Sequence, residues 1–281
     1  MSARRLLPPL ALLLVCLPLD ARAQDGPSLA ERAPRRESYA SPQRFWFEFK
    51  LGPYTPGIDG EFGGTASPYH DIFDGRDPND SNRVVGDGRN LIFSWALEYE
   101  VLRRFGTLAV GASVGYFTNS ARALQDVPTP AAPSGTSPLV TGARSSSDST
   151  IMLLPLAALV AYRFDVLADR YKIPLVPYVK LGLNYTLWWM LLDGDVRQYT
   201  KADKTVVSAK GGTFGWQLNA GLAVRLDILD PGASRALDAE IGINHTYLFF
   251  ELTHLAADGL GSSTALGLGN TSYSGGLAFE F

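Results

Sequence analysis

Residues that could support acid–base or metal chemistry are few in this chain. It contains three histidines, His70, His245 and His254, and a single cysteine, Cys16. His70 and His254 lie in segments without a serine or aspartate at a spacing that would predict a catalytic triad. Because zinc sites are built mainly from Cys and His, the scarcity of both residues also argues against zinc. We therefore expect no catalytic residue, no cofactor and no bound metal.

Oxygen ligands are more frequent in one segment, between Asp71 and Asp87. Carboxylates and amides in such a cluster are ligands that Ca²⁺ accepts, but the spacing of an EF-hand loop is absent. Two interpretations stay open, a calcium site and a solvated acidic turn. The residues concerned are Asp71, Asp74, Asp77, Asn79, Asp80 and Asp87.

A third group of polar residues occupies alternate positions within apolar segments. In a strand, alternate positions share one face, so these residues would point the same way. Charges are costly in an apolar core and natural in a polar lumen. Either they form a polar pathway or binding site, or they fill a narrow lumen as a plug of salt bridges. The group consists of Glu48, Lys50, Glu98, Glu100, Lys180, Asn184, Gln217, Arg225, Asp238 and Glu240.

The segments that carry these residues read as eight strands, because apolar and polar residues alternate with a period of two. Their length suits a tilted membrane span of about ten residues. We predict an all-β fold, a single antiparallel up-and-down transmembrane β-barrel with the apolar rows outside. The predicted strands are 44–52, 90–101, 107–119, 150–165, 173–190, 214–227, 237–249 and 273–281.

Two of these strands need comment. Both faces of 150–165 are apolar as far as Arg163, and Pro155 interrupts the segment, so a buried helix is the competing interpretation. In 237–249 the alternation places Asp238 and Glu240 inward. The outward row of that strand is predicted as Leu237, Ala239, Ile241, Ile243, Tyr247 and Phe249.

The connections between the strands alternate between long and short. Long loops follow the first, third, fifth and seventh strands, and Asp-Pro-Gly nucleates a predicted short turn at 228–234. Outer-membrane barrels have long extracellular loops and short periplasmic turns. This order therefore predicts that both termini lie on the periplasmic side.

The C-terminal segment carries the clearest family resemblance. Its apolar row ends on an aromatic residue and comprises Tyr273, Leu277, Phe279 and Phe281. The pattern resembles the C-terminal signature of bacterial outer-membrane β-barrel proteins, and the resemblance implies recognition by the barrel-assembly machinery. An edge strand of a soluble sheet is the alternative. Within the class, the chain is similar to small Gram-negative families, a myxobacterial-type one among them.

The N-terminal segment is predicted to be a secretory signal peptide. Arg4 and Arg5 precede an apolar stretch, and Ala21-Arg22-Ala23 forms a cleavage site, so we expect residues 1–23 to be removed. A retained helical anchor is the alternative. Residues 24–43 are polar and predicted to be a flexible periplasmic lead-in, and 44–281 form the barrel. The predicted location is the outer membrane.

These features lead to three functional hypotheses. The first is a barrel with a structural or surface-binding role, a monomer whose partners are membrane lipid and lipopolysaccharide. The second is an enzyme acting on lipid A or lipid, but lipid A deacylase-like barrels have a Ser two residues after a His, and His245 is followed by Thr246 and Tyr247. The third is a secreted calycin-like barrel that binds a lipophile. With a net charge of −3, nothing indicates a nucleic-acid partner.

Overall fold

The computed structural model describes residues 44–74, 76–77, 80–84, 90–124, 144–200, 204–262 and 265–281. The predicted signal peptide and lead-in lie outside these residues, as does most of the second long loop. Residues 75, 78–79 and 85–89 of the acidic segment lie outside them too, so the calcium hypothesis stays a prediction.

Eight long strands in the described part of the chain form the barrel. Each pairs antiparallel with its neighbours in chain order, and the last also pairs with the first, with Phe279 opposite Phe47. The sheet therefore closes on itself, which confirms the predicted eight-stranded antiparallel up-and-down barrel. The strands are β1 (Phe45–Pro53), β2 (Leu91–Arg103), β3 (Thr107–Leu124), β4 (Arg144–Arg163), β5 (Leu175–Leu192), β6 (Lys210–Arg225), β7 (His245–Ala256) and β8 (Asn270–Glu280).

Side chains alternate between the inside and the outside of the barrel along each strand. In β5, for example, Tyr178 and Lys180 are buried, whereas Val179 and Leu181 are exposed. The same alternation in β1 to β6 and in β8 places the two predicted rows on the two predicted faces. Segment 150–165 is a strand, and its second apolar row packs inside the barrel with Ile151, Leu153 and Leu159 buried.

Pro155 lies inside β4, where its missing N–H would normally break a ladder of hydrogen bonds. It pairs with Thr186 on β5, but the residue pairing with β3 is interrupted between Val114–Leu156 and Phe117–Leu153. Gly115 lies beside this interruption, and a Cβ added there would be 2.8 Å from the proline ring. The glycine thus makes room for the proline within the sheet.

The prediction for the seventh strand is wrong. Residues Pro231–Ile241 form an α-helix, α2, and strand β7 begins only at His245. The Asp230 carboxylate accepts hydrogen bonds from the N–H groups of Gly232 and Ala233, and Gly242 ends the helix with a φ of 74°. These are a capping aspartate, a proline in the first turn and a left-handed glycine cap, which together fix a helix. Among the described residues, no helix is long and apolar enough to cross a membrane.

The faces of β7 are also the reverse of those predicted. Tyr247, Phe249 and Glu251 are buried inside the barrel, and Leu248 and Phe250 are exposed outside. Successive side chains in a strand point to opposite faces. An assignment that is wrong by one residue therefore places every side chain of the strand on the wrong face.

Two ends of the barrel can now be distinguished by their connections. At the end that we call the loop end, residues 54–90, 193–209 and 257–269 join strands, together with the connection between β3 and β4. The opposite end, the turn end, has residues 104–106, a connection with the short helix α1 (Val166–Tyr171), and a connection with α2. The last of these runs from Leu226 to Asn244, so the predicted short turn at 228–234 is wrong.

Candidate functional site in the barrel lumen

Lys180 lies at the centre of a buried charge cluster in the middle of the barrel. Its Nζ contacts the Glu48 carboxylate, lies 2.8 Å from Glu98 Oε1 and 3.8 Å from Glu251 Oε2. The four side chains come from β5, β1, β2 and β7, and none is more than 1% exposed. Since a buried charge is tolerated only when it is paired, the lysine is needed to offset the mutual repulsion of the three carboxylates.

Polar residues extend this cluster along β5, β6 and β7. Lys50 forms an ion pair with Glu251. The Asn219 amide donates to Glu251 Oε1 at 2.8 Å and to Thr253 Oγ1 at 2.9 Å. Gln217 donates to Asn219 at 3.2 Å, and Asn184 donates to Gln217 at 3.3 Å. The amides thus form a row of hydrogen bonds along the inner wall.

Arg163 connects the cluster to the next layer towards the turn end. Its guanidinium donates to Glu98 at 2.5 Å and to Glu100 at 2.7 Å, and it lies over the Trp46 ring at 4.3 Å. The indole N–H of Trp46 in turn donates to Glu48 Oε1 at 2.6 Å. We call Glu48, Lys50, Glu98, Glu100, Arg163, Lys180, Asn219 and Glu251 the lumen cluster.

At the turn end, five side chains form a closed ring of polar contacts. Arg103 lies 3.3 Å from Glu280 and 3.2 Å from Asp169, and Asp169 lies 3.0 Å from Arg225. Arg225 donates to the Tyr247 hydroxyl at 3.0 Å, which donates to Glu280 at 2.7 Å. This turn-end ring joins β2, α1, β6, β7 and β8 across the barrel mouth.

The loop end contains an apolar cap instead. Tyr54, Ile58, Tyr69 and Phe73 of the first loop pack with residues of the inner wall such as Phe117 in one buried cluster. The Tyr54 hydroxyl donates to the Leu268 carbonyl at 2.5 Å, and the Asp59 carboxylate accepts from the N–H groups of Tyr69 and His70. The part of the first loop from Tyr54 to Phe73 is therefore fixed to the barrel and to the last loop.

Residues of the lumen cluster and of the apolar cap together line a small cavity of about 60 Å³. Its lining includes Ser94, Ser113 and Asn184 of the wall and Tyr54 and Leu255 of the cap. Such a volume has room for water. The described side chains thus occupy the lumen at three levels, and a small polar cavity lies below the cap.

The structure places most of the predicted polar residues inside the barrel. Glu48, Lys50, Glu98, Glu100 and Lys180 come together in the lumen cluster, Asn184 and Gln217 lie beside it, and Arg225 belongs to the turn-end ring. Asp238 and Glu240 do not belong with them. Both lie on α2 beyond the end of β6, because that segment is a helix rather than a strand.

Tyr273, Leu277 and Phe279 of the predicted C-terminal row lie on β8, and Phe281 follows its last residue. Tyr273 and Leu277 are exposed on the outer face, and the terminal Phe281 is 39% exposed. The backbone of Phe281 donates to the Phe45 carbonyl at 2.9 Å and accepts from the Phe45 N–H at 2.7 Å. Phe279 pairs with Phe47 across the seam between β8 and β1.

The three histidines do not meet. His245 is the first residue of β7 at the turn end, whereas the predicted strand 237–249 places it in the half nearer the long loop, and its Nδ1 contacts Asp227. His254 lies on β7 rather than in a loop and contacts Thr271 Oγ1 at 2.8 Å, and His70 lies in the first loop. In the part of the chain that the structure describes, no three His, Cys, Asp or Glu side chains form a group that could hold a metal.

Sequence reasoning missed several members of the site. Glu251 follows the predicted seventh strand, Glu280 lies in the predicted last strand outside its apolar row, and Arg103 and Asp169 lie between predicted strands. For Glu251 a signal existed, because the caps around 231–242 predict a helix and move the seventh strand towards it. The contacts of Arg163 and Asn219 had no such signal, since they depend on which strands face each other.

Neither a family model nor a curated protein matches the chain. Several solved structures are similar to it, among them the following three. The N-terminal β-barrel domain of Pseudomonas aeruginosa OprF is 10% identical, with a TM-score of 0.31, and the match covers 85% of this chain and 97% of that one. Ail, the attachment invasion locus protein of Yersinia pestis, is 9% identical, with a TM-score of 0.34 and the same coverage.

Neisserial surface protein A, NspA, is 12% identical, with a TM-score of 0.35, and the match covers 85% of this chain and 95% of that one. At these identities and TM-scores, the likenesses do not indicate what this barrel does.

Proposed function

We propose that this chain is an integral outer-membrane β-barrel with a structural or surface-binding role and without catalysis. The observation that carries the proposal is the sorting of side chains between the two faces of a closed sheet. The outer face exposes large apolar side chains, among them Leu181 at 57%, Leu183 at 70% and Phe214 at 60%. The charges of the lumen cluster lie inside. Exposure of such an apolar surface is energetically unfavourable in water and favourable in lipid.

Closure of the sheet supports the same proposal. In a bilayer no water satisfies the N–H and C=O groups of a sheet edge, so only a closed barrel can cross with strands. The seam between β1 and β8 supplies this closure, from Trp46 opposite Glu280 to Leu51 opposite Gly275. A transmembrane strand needs about nine to eleven residues, and the barrel strands have between 9 and 20.

We propose the outer membrane as the location because the sequence predicts an export signal, followed by a domain that would cross the membrane with β-strands. The outward row of β8 is the surface that the barrel-assembly machinery would meet before closure, and outer-membrane lipid and lipopolysaccharide are the expected neighbours of the finished barrel. Assignment to a myxobacterial-type family stays a prediction.

We further propose that the barrel does not conduct. Lys180 and its three carboxylates occupy the middle of the lumen, with the apolar cap on one side and the turn-end ring on the other. A filled interior suits a structural barrel, and a first loop held by Asp59 and Tyr54 offers a fixed platform for surface binding.

The two alternatives fit the geometry less well. A calycin-like lipophile carrier needs its apolar rows inside, and these rows face outward. The enzyme hypothesis would rest on the contact between His245 and Asp227. The same carboxylate also accepts from the Thr246 N–H at 3.2 Å, so the pair closes the connection between β6 and β7 and has a structural explanation.

Membrane fractionation tests this proposal, combined with gel mobility of heated and unheated samples. We expect the protein in the outer-membrane fraction and a heat-dependent shift in mobility, because a closed barrel stays folded in detergent until heated. The purified protein in planar bilayers should show no steady conductance. Recovery in the aqueous fraction without a mobility shift would refute the membrane barrel, and stable channels would refute the closed lumen.

A further inference from the structure

The connection between β6 and β7 contains an amphipathic helix whose apolar side has no cover in the described structure. Exposed apolar residues flank and occupy α2, namely Ile228 at 57%, Leu229 at 78%, Leu237 at 36% and Ile241 at 64%. Leu237 and Ile241 are four residues apart and so lie on the same side of the helix. No residue of the helix is buried, so packing against the barrel does not explain why Leu237 and Ile241 are apolar.

Similar residues lie in the other two connections at the turn end. Phe105, in the turn between β2 and β3, is 69% exposed, and Tyr171, at the end of α1, is 65% exposed. Ile173 follows at 44%. Exposed apolar and aromatic residues thus occur in all three connections at this end. These connections join strands whose outward rows the proposed function assigns to lipid.

We propose that α2 is an interfacial helix, which lies on the membrane leaflet at the turn end and inserts Leu237 and Ile241 into its head-group region. The inference rests on the proposed membrane barrel. A helix with one apolar side and one polar side binds in the plane of the interface, with the apolar side about 5–10 Å into the boundary between head groups and acyl chains. The partner is a phospholipid surface rather than another protein.

The side of α2 opposite Ile241 is exposed. Ser234 and Asp238, which lie within about 60° of Ile241 around the helix, are partly buried, whereas Ala239 and Glu240 are exposed. With 3.6 residues per turn, Ala239 lies roughly 200° around the helix from Ile241. When Leu237 and Ile241 meet lipid, Ala239 therefore remains in water.

Depth-dependent fluorescence quenching tests the proposal on the full chain refolded into phosphatidylcholine vesicles. In a Cys16→Ser background, single cysteines replace Ile241, Ala239 or Leu218, and each is labelled with an environment-sensitive dye. Spin-labelled lipids carry the quencher either near the head group or near the end of the acyl chain. Every labelled protein is first checked for a heat-dependent mobility shift, so that misfolded variants are removed.

We expect the dye at Ile241 to be quenched most by the shallow spin label, roughly twofold more than the dye at Ala239. The dye at Leu218, in the middle of β6, should be quenched most by the deep label. If Leu218 is quenched but Ile241 behaves like Ala239, the interfacial helix is refuted while the membrane barrel stands; a helix covered by a second copy would give that result. If Leu218 is not quenched either, the membrane barrel itself is refuted.

Discussion

Lys180 and Glu48 form an ion pair although their strands, β5 and β1, are not neighbours anywhere in the sheet. Three strands lie between them in either direction around the barrel, so the contact runs across the lumen rather than along the wall. Glu98 and Glu251 reach the same ammonium group from β2 and β7. One side chain thus connects strands on opposite sides of the barrel.

Replacing Lys180 with Met should destabilise the barrel strongly. The change leaves Glu48, Glu98 and Glu251 close together without their shared cation, and losing one partner of a buried ion pair costs about 3–5 kcal/mol. The free energy of unfolding can be measured by urea titration of the refolded barrel, followed by gel mobility. Lys210→Met is the matched control, because Lys210 is exposed and surface substitutions usually change stability by less than about 0.5 kcal/mol.

A second substitution separates lost charge pairing from lost packing. The double variant Lys180→Met, Glu48→Gln removes the carboxylate whose ion pair the first change breaks, whereas Glu98 keeps its contact with Arg163 and Glu251 keeps its contact with Lys50. It should recover part of the lost stability. Equal stability of the single and double variants would show that Lys180 acts through packing alone.

Leu218→Arg tests whether the outer face meets lipid. An arginine at the middle of the membrane costs a barrel about 2–4 kcal/mol, and about 0–1 kcal/mol near the interface. Leu229, beyond the end of β6 and 78% exposed, provides the shallow control as Leu229→Arg. Unfolding free energies in lipid vesicles should differ by roughly 2 kcal/mol or more between the two variants. Small and equal costs would mean that Leu218 faces water.

The sequence predicts the barrel well because two alternating rows are visible in most strands. In β5, Lys180 and Asn184 alternate with Val179, Leu181 and Leu183, and this pattern alone places the charges inside. The prediction of the seventh strand is wrong for an identifiable reason. Leu237, Ala239 and Ile241 satisfy a period of two, but Leu237 and Ile241 also satisfy the period of a helix, and the caps Asp230 and Gly242 favour the helix.

The partners within the lumen could not be predicted. The alternation assigns Lys180 to the inner face. Its contact with Glu48 depends on two further properties, the closure of the eight strands into a barrel and the strand register that places both residues at the same level along the barrel axis. The aromatic pair Phe249-Phe250 made the faces of β7 ambiguous as well, since either residue could have pointed outward. Glu251 therefore stayed outside the predicted site, although it accepts from Lys50 and from Asn219.

Gly276→Ala should disturb the seam that closes the barrel. A Cβ at Gly276 would lie 2.0 Å from the Phe49 carbonyl oxygen and 2.8 Å from Lys50 Cα, so β8 and β1 would have to separate. Overpacking of this kind costs about 1–3 kcal/mol. Gly275→Ala is the matched control, because its added Cβ meets only the Phe249 carbonyl oxygen at 3.5 Å. Thermal unfolding monitored by gel mobility should show a lower midpoint for the first variant, and equal midpoints would contradict the tight seam.

Asp193 should make the contact between β4 and the end of β5 depend on pH. The N–H of Asp148 donates to the Asp193 carboxylate at 2.8 Å, and together with the Ser147 hydroxyl it holds the pKa of that carboxyl below its ordinary value. A lowered pKa in the folded state means that the contact stabilises above about pH 4 and is lost as the pH falls through the folded-state pKa. Hydrogen exchange of the Asp148 amide, corrected for the intrinsic rate, should therefore accelerate on acidification. In Asp193→Asn, whose side chain cannot titrate, protection should not change with pH, and an unchanged acid response in that variant would assign the effect to another group.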